Sequence, residues 1–350
     1  MNILQTLLFA PAMLAVLAFD ASAGDQGGLD EATRQQVLTE LSAKVSEAYV
    51  FPDKAKLIVE RLNAQEKRGA YRKAKDLQQF ATMLTADLRQ PTGDKHLGIW
   101  YSAKPEPEPA GGPVQSPEMD RMIVNYLKSN NYGIRKVETL PGNIGYIDLR
   151  SFPSARFSKP ALDALMTLVA DTDALIVDLR NNGGGDPYTV AYLESYLFDK
   201  RTHVNDMVWR KGDRTEAFWT EEEVPGKKFG GEKNVYVLTS KDTFSGAEGF
   251  SYELQQLRRG VIVGEITGGG AHPGQPHRIH PQLQVFVPAG RAINPVSKTN
   301  WEGSGVVPDV RVKAAHALRT AERLALTALL KSPRDDEHAQ VLRKRLAALK

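Results

Sequence analysis

The chain of 350 residues has no cysteine, which excludes disulfides and thiolate chemistry. It also lacks an excess of charge of either sign: 45 Lys+Arg against 42 Asp+Glu leaves +3. No basic run is long enough, or laced with enough aromatic residues, to form a nucleic-acid groove, so no nucleic-acid partner is expected. Internal repeats are absent, as are Walker-A spacing, Rossmann spacing and a GxSxG elbow. Beyond the first 23 residues no apolar stretch could span a bilayer. What is present is an ordinary globular composition, 41% hydrophobic and 25% charged, enough for one large domain or two smaller ones.

Residues 1–23 stand apart. They are apolar up to Phe19 and end in Ala21-Ser22-Ala23, which reads as a secretory signal cleaved after Ala23, although its start carries no Lys or Arg. Pro11 interrupts the stretch, and it is short of the ~20 residues a span needs. The expectation is a periplasmic or secreted protein with no stable membrane insertion after cleavage. Residues 24–90 show helical three-and-four spacing and form a small helical N-terminal domain. Residues 91–141 carry His96 and a Pro/Gly-rich linker. Residues 142–312 alternate short Val/Ile/Leu runs with helical stretches, the pattern of an α/β core with a largely parallel sheet. Residues 313–350 are again helical.

In such a sheet ligands gather at loops leaving the carboxyl ends of strands, and three loops there carry candidate chemistry. Asp178 to Pro187 contains Gly183-Gly184-Gly185, whose backbone N–H groups can converge on an oxyanion; a plain flexible turn and a phosphate site are the other readings. Lys241 to Gly249 puts Ser245 at the start of a helix. There it is either a nucleophile favoured by exposed N–H groups or, more ordinarily, an N-cap, and the residues alone leave both open. The third loop, Gly264 to Pro273, includes His272. A zinc site of His272, His277 and His280 is disfavoured, because Pro273, Pro276 and Pro281 break any helix that would align them and no carboxylate sits at ligand spacing. No metal or cofactor is assigned.

Together GYIDL, DLRNNGGG, TFSGAE, VGEITGGGAHP and WEGSGVVPDV, in this order and spacing between Gly142 and Val312, resemble the C-terminal processing (tail-specific) protease family. The helix bearing Glu47-Ala48-Tyr49-Val50-Phe51-Pro52 resembles the branch that includes interphotoreceptor retinoid-binding protein. The resemblance implies a ClpP/crotonase-like fold and a serine endopeptidase acting on exposed or unfolded polypeptide, with Ser245 as nucleophile. Members with a Ser–Lys dyad carry their lysine in the loop after the VGE strand. Here Ile266 and Gly270 stand in that loop, so a dyad would need Lys241 or Lys298.

The tricorn-type arrangement fits better: Thr92-Gly93-Asp94-Lys95-His96-Leu97 matches its histidine segment and Glu302 falls at its glutamate. This implies His96 as base and Glu302 in support, with Gly246 and Gly184 as oxyanion-hole donors. Lys95 departs from the small hydroxyl residue of that site. About 45 residues separate His96 from Gly142, below the ~50 of a minimal domain, so no PDZ domain is expected. A histidine base implies activity falling as pH drops through about 6.5. The competing expectation is a non-proteolytic module for apolar ligands, or another hydrolase, on the same fold.

Overall fold

The computed structural model describes residues 29–105 and 116–349. The expected signal at 1–23 lies outside the described residues, as does 106–115 of the Pro/Gly-rich linker. Among the described residues no helix is long and apolar enough to cross a membrane.

The centre is a six-stranded sheet. In chain order its strands are β2 (Ile134–Leu140), β3 (Ile144–Leu149), β4 (Ala174–Asp178), β7 (Asn234–Thr239), β8 (Val261–Gly264) and β12 (Val310–Arg311). They lie in the order β12-β8-β7-β4-β3-β2, all parallel except the β2–β3 hairpin pair. Both faces of a parallel sheet need cover, and these strands are apolar on both. On one face Ile147, Leu175, Val177, Val235, Val237 and Ile262 meet α5 (Ala155–Val169), α6 (Pro187–Glu194) and α7 (Gly246–Gln256). On the other, Ile144, Tyr146, Ile176, Tyr236, Leu238 and Val263 meet α8 (Ala314–Leu329) and α9 (Asp336–Ala348). Ala317, Ala321 and Ala325, four residues apart, give α8 a flat stripe that sits close on the strands. The α/β core with mostly parallel strands expected from the alternating pattern is therefore the fold.

The N-terminal unit is helical over its described residues, as expected, but it does not stand alone. α1 (Glu31–Ala48), α2 (Pro52–Lys67) and α3 (Leu77–Arg89) pack on a second sheet, in which β1 (Gly98–Tyr101) pairs with β10 (Leu283–Pro288) and β10 with β9 (Gly274–His280). Ile279, Leu283, Val285 and Val287 enter one core with Leu41, Ile58, Phe80 and Leu84. The boundary expected at residue 142 is thus crossed by a hairpin, because the amphipathic helices bury their apolar faces against strands supplied from late in the chain. A third sheet, β11 (Gly290–Ile293), β5 (His203–Trp209) and β6 (Arg214–Trp219), flanks the main core. The remaining helix, α4 (Pro117–Ser129), precedes β2 and is started by Ser116, whose side chain accepts from Met119 N–H.

Candidate active site

Ser245 ends the loop from β7 and begins α7. Its backbone sits at φ +53°, ψ −120°, a conformation that residues with a Cβ rarely adopt. Three contacts hold it there. Phe244 N–H donates to Asn182 O at 3.0 Å, and Thr243 Oγ1 donates to Leu179 O at 2.8 Å, fastening the loop to the one after β4. Ser245 N–H donates to Glu248 Oε2 at 2.9 Å, the backward half of a capping box.

Glu248 has no other backbone or side-chain option than this site: it is fully buried, and its two oxygens take donors from four groups. Besides Ser245 these are Thr267 Oγ1 (2.5 Å), Gly269 N–H (2.6 Å) and Gly270 N–H (2.8 Å). Burial pushes the carboxyl up to about 7 against the pull of these donors. The S-x-x-E spacing of Ser245 and Glu248 is visible in the sequence and was the signal that could have identified this residue.

The glycine turn after β4 lies directly beneath. Gly184 has φ +101° and Gly185 φ +146°, and a Cβ at Gly184 would come within 2.6 Å of Gly246 N, so neither position accepts a larger residue. The Gly184 N–H, expected as an oxyanion donor, is instead spent on Asn182 Oδ1 at 2.8 Å. The Asn182 side chain is locked in turn by donating from Nδ2 to Leu149 O. Among the described residues the N–H groups of Gly185 and Gly246 meet no protein acceptor, and both residues line a small cavity with Ser245. The free pair is therefore Gly246 and Gly185.

His96 arrives from the N-terminal unit. Arg89, at the end of α3, donates to Leu97 O (2.6 Å) and Lys95 O (2.9 Å), and Lys95 Nζ reaches across to Gly268 O at 2.6 Å. The imidazole packs against Phe244 (ring centres 4.6 Å) and Phe286 (5.9 Å), and a side chain added at Gly270 would strike both His96 and Phe244. Its Nδ1 is buried without a hydrogen-bond partner. The residue is half-buried, and burial of the imidazole pushes it down to about 4, so it is neutral at neutral pH. No hydrogen bond joins His96 to Ser245 among the described residues.

His96 and Glu302 are brought together, with Asp94 between them: one polar atom of each lies within 4.8 Å of the others. Such a trio could hold a cation as readily as shuttle a proton. The zinc reading weighed for His272, His277 and His280 has no geometric counterpart, since the last two lie on β9 and only His272 joins the cluster. His272, weighed only as a metal ligand, is buried and donates from Nδ1 to Asp94 Oδ2 at 2.8 Å, with Glu302 Oε2 at 3.5 Å. Burial works against a charge on Asp94, but the His272 hydrogen bond and the nearby imidazoles hold its carboxyl below the usual range. Tyr49 OH also donates to it. Glu302 Oε2 accepts from Ala271 N–H at 2.6 Å, and burial, then the Asp94 charge, raise its carboxyl. Lys241 and Lys298 are exposed and line no part of the cavity beside Ser245.

Residues 143–312 match the model of peptidase family S41, and residues 31–131 match that of the N-terminal domain of peptidase S41 in eukaryotic IRBP. The chain belongs to peptidase family S41, a family of serine peptidases. A curated relative, the chloroplastic carboxyl-terminal-processing peptidase 1 of Arabidopsis thaliana, is 26% identical over 202 residues, 57% of this chain. The match spans only 40% of that relative's length. Among solved structures, a lipoprotein from Streptococcus agalactiae superposes with TM-score 0.55 at 14% identity, covering 84% of this chain and 96% of the other. A peptidase-like protein from Parabacteroides merdae superposes at 0.54 and 20% identity, covering 80% and 89%. At these identities the two structures speak for the fold alone.

Glu248→Gln keeps the shape of the anchor but replaces an acceptor oxygen with a donor facing N–H groups. It is expected to destabilise the protein by about 2–5 kcal/mol, since buried donors lose their acceptor, and to lower peptidase turnover about 10²-fold through displacement of Ser245. Urea unfolding and initial rates measure the two, and unchanged stability would show that the carboxylate is not the anchor.

Proposed function

We propose that the protein is a serine endopeptidase of exposed or unfolded polypeptides, with Ser245 as nucleophile, His96 as base, and Glu302 and Asp94 supporting the imidazole. The observation that carries this reading is the strained Ser245 turn beside two N–H groups that have no other acceptor. Ser245 Oγ attacks the scissile carbonyl carbon while its proton passes to His96, which is neutral and able to accept it. The carbonyl oxygen becomes an oxyanion and receives hydrogen bonds from Gly246 and Gly185 N–H. The imidazolium formed at this stage lies close to the Asp94 and Glu302 carboxyls. It then gives its proton to the amine nitrogen as the C–N bond breaks. A water attacks the acyl-enzyme, again losing its proton to His96, and the imidazolium returns that proton to Ser245 Oγ as the ester bond breaks. Substrate binding has to bring Oγ and imidazole into hydrogen-bond reach, a closure that unliganded active sites commonly leave incomplete.

The cavity of about 30 Å³ beside Ser245 is too small for a large apolar ligand, which needs roughly 300 Å³ or more, so the binding-module alternative would have to use the separate cleft of about 370 Å³ lined by Tyr188, Tyr192, Phe218 and Trp219. We also infer export to the periplasm or medium, from the apolar residues 1–23 and their Ala-Ser-Ala ending.

The first test is digestion of an unfolded reporter protein, with products read by mass spectrometry. Cleavage should vanish in Ser245→Ala, and persistence there would remove Ser245 from the chemistry. The pH dependence of kcat/KM separates the titrating groups. Because burial lowers the His96 imidazole, activity should persist below pH 6 and be lost only near 4, well under the 6.5 of an unperturbed histidine. Complete loss already at 6.5 would contradict the buried base, and a partial fall near 7 would report a buried glutamate beside the site, Glu248 or Glu253. For export, N-terminal sequencing of protein recovered outside the cytoplasm should begin at Gly24; a retained Met1 would overturn the signal reading.

A further inference from the structure

The cavity beside Ser245 is walled by apolar groups, among them Val190, Met207 and Trp301, but an acid lies on its lining: Glu253, from the second turn of α7. Behind it stands Glu194, the last residue of α6, which is completely buried. Glu253 Oε1 accepts from Asn205 Nδ2 of β5 at 2.7 Å. Neither oxygen of Glu194 meets a donor from the protein among the described residues. Two buried carboxyls this close cannot both ionise, and a proton held between them supplies the missing hydrogen bond. The catalytic reading makes no use of this pair. A structural acid pair is costly where an apolar pair would pack as well, so its position on the cavity calls for a reason.

We propose that Glu253, backed by Glu194, makes this cavity a binding site for a lysine side chain, so that the peptidase cleaves after lysine. The inference rests on Ser245 being the nucleophile. A carbonyl oxygen held between Gly246 and Gly185 N–H directs the side chain of the same residue into the adjoining cavity, whose lining those two glycines share. The apolar walls suit a methylene stem, and the carboxyl pair suits an ammonium at its tip. The space, about 30 Å³, holds roughly two water-sized groups, which admits a slim chain end and turns away an aromatic ring or a planar guanidinium. Asn205 fixes the Glu253 carboxyl, so the acceptor is preorganised rather than recruited.

The pair also sets when the site is charged. Burial, then the neighbouring Glu253 charge, raises Glu194 well above the usual glutamate range, and burial pushes Glu253 up to about 7. The charges acting on either carboxyl are each other's; from β5 only the neutral Asn205 contributes. The pair therefore loses its first proton near pH 7 and keeps its second. Below that pH the cavity is neutral, and above it carries one negative charge.

The experiment compares kcat/KM for two peptides differing only at the residue before the cut, lysine in one and norleucine in the other, from pH 6 to 8. The lysine-to-norleucine ratio should rise about tenfold over this range as the pair ionises. Glu253→Gln should remove both the preference and its pH dependence. Glu194→Gln should do the opposite, since its amide can donate to Glu253, keep that carboxylate charged, and carry the lysine preference down to pH 6. Circular dichroism checks that the variants fold, and the measurement on the unsubstituted protein needs no variant. A ratio that is flat with pH, or that survives Glu253→Gln, overturns the assignment while leaving the peptidase standing. Failure to cleave either peptide, or any reporter, overturns the peptidase reading and this one with it.

Discussion

Four donors converging on one buried carboxylate hold this site in shape. Glu248 ties the backbone of Ser245 to the loop of Thr267, Gly269 and Gly270. Without it the turn would lose the acceptor of the Ser245 N–H, leaving the Phe244 and Thr243 tethers against relaxation of a serine held at positive φ toward the ordinary extended N-cap conformation. The same loop is what His96, Lys95 and Trp301 close on: Lys95 Nζ and Trp301 Nε1 donate to its carbonyls at Gly268 and Gly270. Ser245, His96 and Glu302 are thus registered to a single short segment rather than to each other.

The second constraint is topological. His96 and Asp94 belong to the N-terminal unit, whereas Ser245, His272 and Glu302 belong to the core, and the β9–β10 hairpin binds the two by giving its apolar face to the N-terminal helices. Phe286 on that hairpin packs on the His96 ring, and Tyr49 at the end of α1 donates to Asp94. An imidazole placed in this way is surrounded by aromatic rings, which explains both its lowered basicity and the lack of a partner on Nδ1.

The strands of the core, their parallel arrangement and the loops at their ends were legible, because buried parallel strands write themselves as continuous Val/Ile/Leu runs and glycine clusters mark the turns. Ser245 was visible as the start of a helix, and its S-x-x-E partner was equally visible but reads as a cap until the tertiary partners of Glu248 are known. His272 was harder: a lone histidine among prolines carries no periodic signal, and its partner Asp94 is 178 residues away. The choice between Gly184 and Gly185 was out of reach for the same kind of reason, since it depends on which N–H the Asn182 side chain captures. The mixed nature of the N-terminal unit was hidden because β9 and β10 contribute to it from beyond residue 270, and alternation within a strand does not say which core the strand will serve.

That hairpin makes the order of events in folding matter to the chemistry. A chain in which only the large sheet has formed has Ser245 but not His96 in place, and a chain in which only the N-terminal helices have collapsed lacks the strands that complete their core. The proposed site is complete only once residues 274–288 dock, a contact between segments separated by nearly two hundred residues. On the reading proposed above, a nascent or partly unfolded copy is inert, and the protein would acquire the power to cut polypeptides only after it has ceased to be the kind of polypeptide it would cut.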